Sequence, residues 1–438
     1  MTDIPHLDGQ KLVQMPPSCL KPHPDNPRTH SKEQVRMIAS SIRRFGFRNP
    51  VLIDDHNNVV AGHGRLLAAA ELRLKSVPTL LLSGMTEPER RAYIIADNRL
   101  AECAGWDDAR LASELAAIAT LDGELDLALT GFEGGALEKL LEQVAAGPVA
   151  ADDLSIIDPD APVVSRSGDV WVMERHRLVV GDARDPAVFE KLMRGEKAQM
   201  IITDPPYNVP INGHVCGLGK VKHEEFAMAS GEMSQAEFED FLTTVLGNVA
   251  DFSRDGSIHF VFMDWRHIDE ILAAGRSIYT ELKNLVVWNK DNGGMGAFYR
   301  SKHELVFVFK KGKKKHINNF ELGQHGRYRT NVWDYAGISS VGSDRDEQLA
   351  MHPTVKPVAM FADAIRDCSS RGGIVLDAFA GSGTALVAAE ETGRKARLVE
   401  IDPRYADTTV RRWQAMTGKQ AVLEASGVPF DELEGHRD

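Results

Sequence analysis

The chain has 438 residues, 43% hydrophobic and 26% charged, a balance that fits a globular protein with room for two or three domains. Its 51 Lys and Arg against 63 Asp and Glu leave a net charge of -12, which excludes a protein that coats nucleic acid by bulk charge, so any such contact must be local. Cys19, Cys103, Cys216 and Cys368 form no C-x-x-C pair, and no apolar run approaches the ~20 residues of a membrane span, which together point to a cytoplasmic protein with no disulfide framework, no metal cluster and no membrane partner.

In chain order, Ser31 caps a predicted helix whose Val35, Ile38, Ile42 and Phe45 share one face, and Gly46 ends it. Residues 51–53 and 59–60 read as short strands around a polar turn, followed by a helix from Arg65 to about Leu74 and a strand over 77–82. Thr86 and Glu89 have capping-box spacing at the start of a further helix. Helical stretches near 109–118 and 136–144 precede a small, acidic, proline-bearing segment that marks a linker. The division expected is a tail over 1–15, a small α+β domain with a helical extension over 16–150, a linker over 151–165, a second domain over 166–425 and a tail over 426–438. Deletion of residues 1–150 should then leave a folded second domain.

Past the linker, strands and amphipathic helices alternate, as in an α/β sheet covered on both faces. Strands are expected at 178–180, 200–203, 258–262, 285–288, 305–309, 374–376 and 398–401, and Ser234 with Glu237 caps a helix carrying Phe238, Phe241, Leu242, Val245 and Val249 on one side. Residues 300–329 hold nine Lys or Arg against two Glu. Lys310, Lys311, Lys313, Lys314, Lys315, Arg327 and Arg329 are thus candidates for a phosphate backbone, the alternative being a solvated hairpin end.

Two motifs carry chemistry. The strand ending at Asp377 runs through Phe379 into Gly381-Ser382-Gly383-Thr384 and a helix, and Glu400 ends the next strand 17 residues after Gly383. Such a turn admits a ligand close to the backbone, and the acid can hold ribose hydroxyls. Leu386 stands where a third glycine would complete a pyrophosphate cradle, which favours S-adenosylmethionine over NAD; the alternative is a tight turn that serves packing alone. The second motif, Asp204-Pro205-Pro206-Tyr207, follows an apolar strand. Two prolines fix the backbone and remove donors, leaving Asp204 and the carbonyls as a rigid set of acceptors suited to an amino group, with Tyr207 free to stack on a base.

These two motifs resemble those of the amino-methylating DNA methyltransferases, which modify N6 of adenine or N4 of cytosine. Residues 352–357 (HPTVKP), with Lys356, look like that family's cofactor-side segment, and Asp182 like the acid near the cofactor's adenine. Trp288-Asn289-Lys290, Gly294-Met295-Gly296, Tyr299-Arg300 and His303-Glu304 look like its later catalytic-half motifs. The resemblance spans about residues 166–420, with the catalytic motif first and the cofactor motif last, the permuted order of the beta class. It implies a Rossmann-like, S-adenosylmethionine-dependent methyltransferase sheet, Asp204 to Tyr207 as the catalytic motif, and Asp182, Lys356, Asp377, Phe379, Gly381, Ser382, Gly383, Thr384, Glu400 and Asp402 as cofactor residues. Only about 40 residues separate the strand ending near Phe309 from His352, which leaves no room for a large target-recognition domain.

Asn26-Pro27-Arg28, the segment 59–68 (VVAGHGRLLA) and, more weakly, Asp97-Asn98-Arg99 resemble the ParB N-terminal, sulfiredoxin-like fold. Gly62, Gly64 and Arg65 would form a nucleotide or docking site at a helix start. His63 and Gly64 replace arginines of the nucleotide-binding relatives, so docking to DNA or protein is preferred to triphosphate binding.

The expectation is a DNA methyltransferase that uses S-adenosylmethionine on a flipped base in double-stranded DNA, adenine N6 being favoured because the motif begins with Asp rather than Ser. The alternatives are cytosine N4 methylation, or a ParB-like DNA-binding regulator with a vestigial methyltransferase half. A nucleotide at the first domain and a homodimer are left open as further partners. His214, Cys216 and His223 lack a metal-ligand spacing and read as a loop over the active site.

Overall fold

The computed structural model describes residues 12–24, 26–121, 125–132, 134–144, 161–209, 231–291, 293, 298–323, 328–337 and 356–434. His214, Cys216, His223, Arg327, His352 and the Gly294-Met295-Gly296 segment lie outside them. The chain divides into two units, Met1–Glu133 and Gly134–Asp438. No helix among the described residues is long and apolar enough to cross a membrane.

The first unit contains β1 (Val13–Met15), α1 (Lys32–Phe45), β2 (Val51–Ile53), β3 (Val59–Ala61), α2 (His63–Glu71), β4 (Val77–Leu81), α3 (Glu87–Glu102) and α4 (Asp108–Leu121). Its sheet runs β1-β4-β2-β3, with β2 parallel to β4. Local chemistry sets the helix ends. The Ser31 hydroxyl accepts from the Gln34 amide, Gly46 closes α1 at φ +81°, and Thr86 and Glu89 form the reciprocal capping box. Val51, Ile53, Val59, Leu66 and Val77 fill the core beneath the sheet.

The second unit begins one helix earlier than the linker, with α5 (Gly134–Val144), followed by β5 (Val170–Met173), β6 (His176–Val180), α6 (Pro186–Met193), β7 (Ala198–Thr203), α7 (Gln235–Asp251), β8 (Ser253–Met263), α8 (Ile268–Ile278), β9 (Glu281–Asn289), β10 (His303–Lys310) and β11 (Val332–Asp334). After these come α9 (Val358–Cys368), β12 (Ile374–Asp377), α10 (Thr384–Glu391), β13 (Lys395–Glu400), α11 (Pro403–Thr417) and β14 (Val422–Leu423). One sheet takes all the strands of this unit in the order β11-β9-β10-β8-β7-β12-β13-β6-β5-β14. Strands β8, β7, β12, β13 and β6 run parallel, and β10 runs against its neighbours β8 and β9. Near-continuous apolar strands such as β7, β8 and β12 are buried on both faces, and apolar clusters fill the space above and below the sheet. This is the α/β class read from the sequence, in the permuted order. The carboxyl ends of the parallel strands share one edge, where open sheets of this kind bind ligands.

Candidate active site

Strands β7 and β12 lie side by side and in parallel, so Asp204-Pro205-Pro206-Tyr207 and the glycine turn leave the same edge of the sheet. A polar strap joins them. The buried Thr203 hydroxyl donates to Asp377 Oδ1 at 2.8 Å and receives the Ala378 amide at 3.2 Å, while the Phe379 amide also reaches Asp377 Oδ1, at 3.0 Å. Burial pushes the Asp377 carboxyl up to about 8 despite these hydrogen bonds. Asp377, read from sequence as a cofactor ligand, thus fastens the turn to the catalytic strand through Oδ1.

The turn itself depends on glycine. Gly381 (φ +50°) and Gly383 (φ +85°) hold left-handed backbone, and Gly383 caps α10. A Cβ at Gly383 would lie 3.0 Å from the Thr409 side chain. Gly383→Ala should therefore cost ~1–2 kcal/mol of stability from the backbone alone, seen as a lowered midpoint in thermal unfolding. Ser382 and Thr384 are buried, and the Thr384 hydroxyl reaches the Lys356 carbonyl at 3.4 Å. Phe379 is half-buried and packs against Phe241.

Glu400 and Asp182 follow the neighbouring parallel strands β13 and β6. The Asp182 carboxylate is bound by Arg184, which with the Arg184 amide outweighs the cost of burial and holds it below the ordinary aspartate value. Asp402 caps α11 through the Arg404 amide. Glu400 accepts from the Gly381 amide at 2.7 Å and the Asp402 amide at 2.9 Å, and no side-chain cation among the described residues contacts it. Burial therefore dominates and pushes its carboxyl up to about 7. A buried acid with acceptor capacity left, beside a turn that bares its backbone, fits the paired hydroxyls of a ribose.

A ribose selects the ionised carboxylate, so nucleoside affinity should fall by up to about tenfold per pH unit below about 7 and level off above it. Because the folded value lies above the ordinary 4.5, ionising Glu400 also costs the ligand-free fold stability as pH rises from 4.5 to about 7. Calorimetric titration with S-adenosylmethionine on either side of neutrality checks the first expectation. Glu400→Gln should weaken binding and flatten the pH dependence.

The catalytic motif is more enclosed than the sequence indicates. Asp204 Oδ1 accepts from the Tyr207 hydroxyl at 2.5 Å, and Asp204 Oδ2 accepts from Lys356 Nζ at 2.5 Å. Tyr207 Oη also lies 3.1 Å from Glu304 Oε2, which Lys356 Nζ approaches to 3.2 Å, and Lys290 Nζ bonds the other Glu304 oxygen. Two carboxylates thus share two ammonium groups and one hydroxyl, roofed by Trp288 and Phe262, over which Lys356 sits. Burial raises the Asp204 carboxyl above the ordinary range, Lys356 only partly opposing it. Glu304 loses solvent too, but Lys356 and Lys290 together bring it down to about 2. Burial disfavours the Lys356 ammonium, and the two carboxylates more than offset it, so the charged form is favoured. Burial and both carboxylates push the Tyr207 phenol well up, so it stays protonated and donates.

Lys356, assigned from sequence to the cofactor, places its side chain in this cluster and its carbonyl against Thr384 of the turn. The Tyr207 hydroxyl is held by both carboxylates, which fixes the position of the ring expected to stack on a base. Glu304 and Lys290 were visible only as parts of longer motifs. Their signal is a charged residue at each end of the pair of apolar strands over 281–289 and 303–310, which the antiparallel register brings together.

The basic segment is placed by the direction of β10. Because β10 runs antiparallel to β8, it starts beside the active site and ends away from it: Lys310 pairs with Ile258, level with Met200, and so lies roughly 14 Å along the sheet from Asp204 at 3.4 Å per strand residue, and two strands to the side. Lys311 is tied to the carbonyls of Ala250 and Ser253. Arg329 is sequestered between Asp363 and Asp367 over the Trp333 ring. Arg329 is thus engaged within the protein, while Lys313, Lys314 and Lys315 are exposed.

In the first unit, Gly62 caps α2 at φ +97°, and a Cβ there would lie 2.9 Å from the Arg65 guanidinium, which turns inward to the Pro50 carbonyl. Gly64 packs against Ile38 and His30. His63 is kept neutral by burial and by the neighbouring His30 and His23. The Arg65 guanidinium thus lies close against Gly62 and is bonded to the Pro50 carbonyl.

Comparison with known proteins gives three family matches: a DNA methylase family of the N6/N4 type over residues 198–411, the ParB N-terminal domain over residues 1–98, and a ParB-methyltransferase HTH domain over residues 109–167. The ParB-like nuclease domain-containing protein YnaK of Escherichia coli is 47% identical over 81 residues, which is 18% of this chain and 93% of YnaK. The DNA adenine methyltransferase YhdJ of Escherichia coli is 26% identical over 264 residues, covering 55% of this chain and 83% of YhdJ. Among solved structures, the PvuII DNA methyltransferase (cytosine-N4-specific) covers 58% of this chain and 89% of its own at 14% identity, with a TM-score of 0.41. The chain carries a DNA methylase domain of the N6/N4 type, a type whose methyl donor is S-adenosylmethionine, with a ParB N-terminal domain ahead of it.

Proposed function

We propose that the chain transfers the methyl group of S-adenosylmethionine to the exocyclic amino group of a base extruded from double-stranded DNA, and that the base is adenine, at N6. The observation that carries this reading is the strap from Thr203 to Asp377, which holds an amine-accepting motif and a ribose-accepting turn on adjacent strand ends. Adenine is favoured by the Asp that opens the motif and by the likeness to YhdJ.

An exocyclic amine is a weak nucleophile because its lone pair is delocalised into the ring. Asp204 and the carbonyls of Pro205 and Pro206 accept its hydrogens and favour the pyramidal form that can attack. The amine takes the place of Tyr207 or Lys356 on an Asp204 oxygen, and the displaced group retains Glu304 as a partner. Bound S-adenosylmethionine supplies a methyl group activated by a positively charged sulfur. The attacking nitrogen must then shed a proton, and a carboxylate made more basic by burial, as Asp204 is, receives it more readily than an exposed one.

Incubation of the full chain with labelled S-adenosylmethionine and unmethylated genomic DNA, followed by nucleoside analysis and single-molecule sequencing, tests this. N6-methyladenine at a defined sequence is expected. N4-methylcytosine would correct the base, and label in RNA or protein but not DNA would overturn the substrate class.

A further inference from the structure

We infer that Phe298 and Tyr299 form an aromatic wedge that enters the duplex and fills the gap left by the extruded base, with Arg300 and Lys302 holding the adjacent phosphates. This inference rests on the function proposed above.

Strands β9 and β10 form a hairpin whose connecting end lies at the catalytic edge of the sheet, with Asn289 facing His303. Both roots of the excursion are fixed in the catalytic cluster. Lys290 binds Glu304 through its side chain, and its amide donates to the Lys302 carbonyl at 2.9 Å. From Glu304 back to Tyr299 is five residues, at most ~17 Å of extended chain. What emerges there departs from ordinary surface. Phe298 is 89% and Tyr299 82% exposed, consecutive in sequence, with ring centroids 4.8 Å apart in an edge-to-face arrangement. Single exposed apolar residues are commonplace, but two adjacent large aromatics forgo substantial burial, and their placement beside a catalytic centre points to use.

Charge points the same way. No carboxylate occurs between Asn292 and His303, and Arg300 and Lys302 are exposed and make no ion pair among the described residues. The protein as a whole is acidic, so an unneutralised cationic pair next to two bare rings is a local exception. Aromatic faces flanked by cations suit nucleic acid, where rings stack on bases and cations meet phosphates. Extruding a base leaves its neighbours unstacked, and a ring inserted into the gap recovers part of that cost.

The test uses the full chain, the site that the wild type methylates, and two short duplexes. In one the target base is paired normally; in the other it faces an abasic position and needs no wedge to leave the stack. Phe298→Ala with Tyr299→Ala should lower kcat/KM on the paired duplex by about ten- to a hundredfold and restore it to within about threefold of wild type on the abasic one. Tyr299→Phe, which keeps the ring, should stay near wild type. Arg300→Gln with Lys302→Gln should reduce the salt dependence of DNA binding by about one unit of slope per contact. Equal losses on both duplexes, or none on either, would overturn the wedge while leaving the methyltransferase reading intact. Absence of transfer by the wild type to any DNA would overturn that reading and the wedge with it.

Discussion

Asp204→Ala is expected to reduce methyl transfer by about 30- to 1000-fold while S-adenosylmethionine affinity stays at the wild-type value. Removing one preorganised acceptor from a dry site costs on the order of 2–4 kcal/mol of transition-state stabilisation, and ~1.4 kcal/mol is a factor of ten in rate. The fold should survive because Lys356 keeps a second carboxylate, Glu304, at 3.2 Å, so no buried ammonium is stranded. Cofactor affinity should survive because Glu400 and the Gly381–Thr384 turn are held from β12 and β13, with Asp377 between them and Asp204. Asp204→Asn separates the two functions of the carboxylate. It retains an acceptor for the amine but cannot take its proton, and it should fall between wild type and Asp204→Ala. Single-turnover rates with calorimetry on the same preparations measure both quantities. Near-normal turnover in Asp204→Ala would remove the motif from the chemistry.

Much of this architecture is written in short windows of sequence. Ser31, Gly46, Thr86 with Glu89 and Ser234 with Glu237 act within one helical turn, and each forms the cap its spacing predicts. Apolar runs such as 198–203 and 374–377 have no alternative to burial, so the main strands and the motifs at their ends are also legible. What escapes is decided by partners far along the chain. Strands β1, β5, β11 and β14 have two to four residues each and are defined by the edge they complete. The site shows the same limit. Lys356 meets Asp204 across 152 positions, and Lys290 meets Glu304 through strand register, neither of which a local pattern encodes. Strand direction is equally invisible. Strand β10, which runs against β8, carries the lysine run away from Asp204 and brings Glu304 beside it.

The place where the chain can be cut follows from one buried ion pair. Composition places a boundary near 150, yet α5 precedes it and supplies Glu138 to Arg394, whose guanidinium is fully buried and bonds Glu138 Oε1 at 2.8 Å. Arg394 also donates to Ser369 and to the Thr392 carbonyl, but Glu138 is the carboxylate that balances its charge. Leu137 and Leu140 are buried on the same helix. A chain starting at residue 151 strands the guanidinium, at ~3–5 kcal/mol, and loses two buried leucines, at ~1.5–3 kcal/mol each. Against the ~5–15 kcal/mol that holds a typical domain together, this should leave it largely unfolded or aggregated. A chain starting at residue 134 retains α5 and should fold, bind S-adenosylmethionine and transfer methyl groups. Circular dichroism and thermal melts of the two truncated chains discriminate, and Glu138→Ala in the full chain should reproduce the charge component alone as a lower melting temperature. Equal stability of the two truncated chains would mean that α5 is an accessory rather than the first element of the methylase unit.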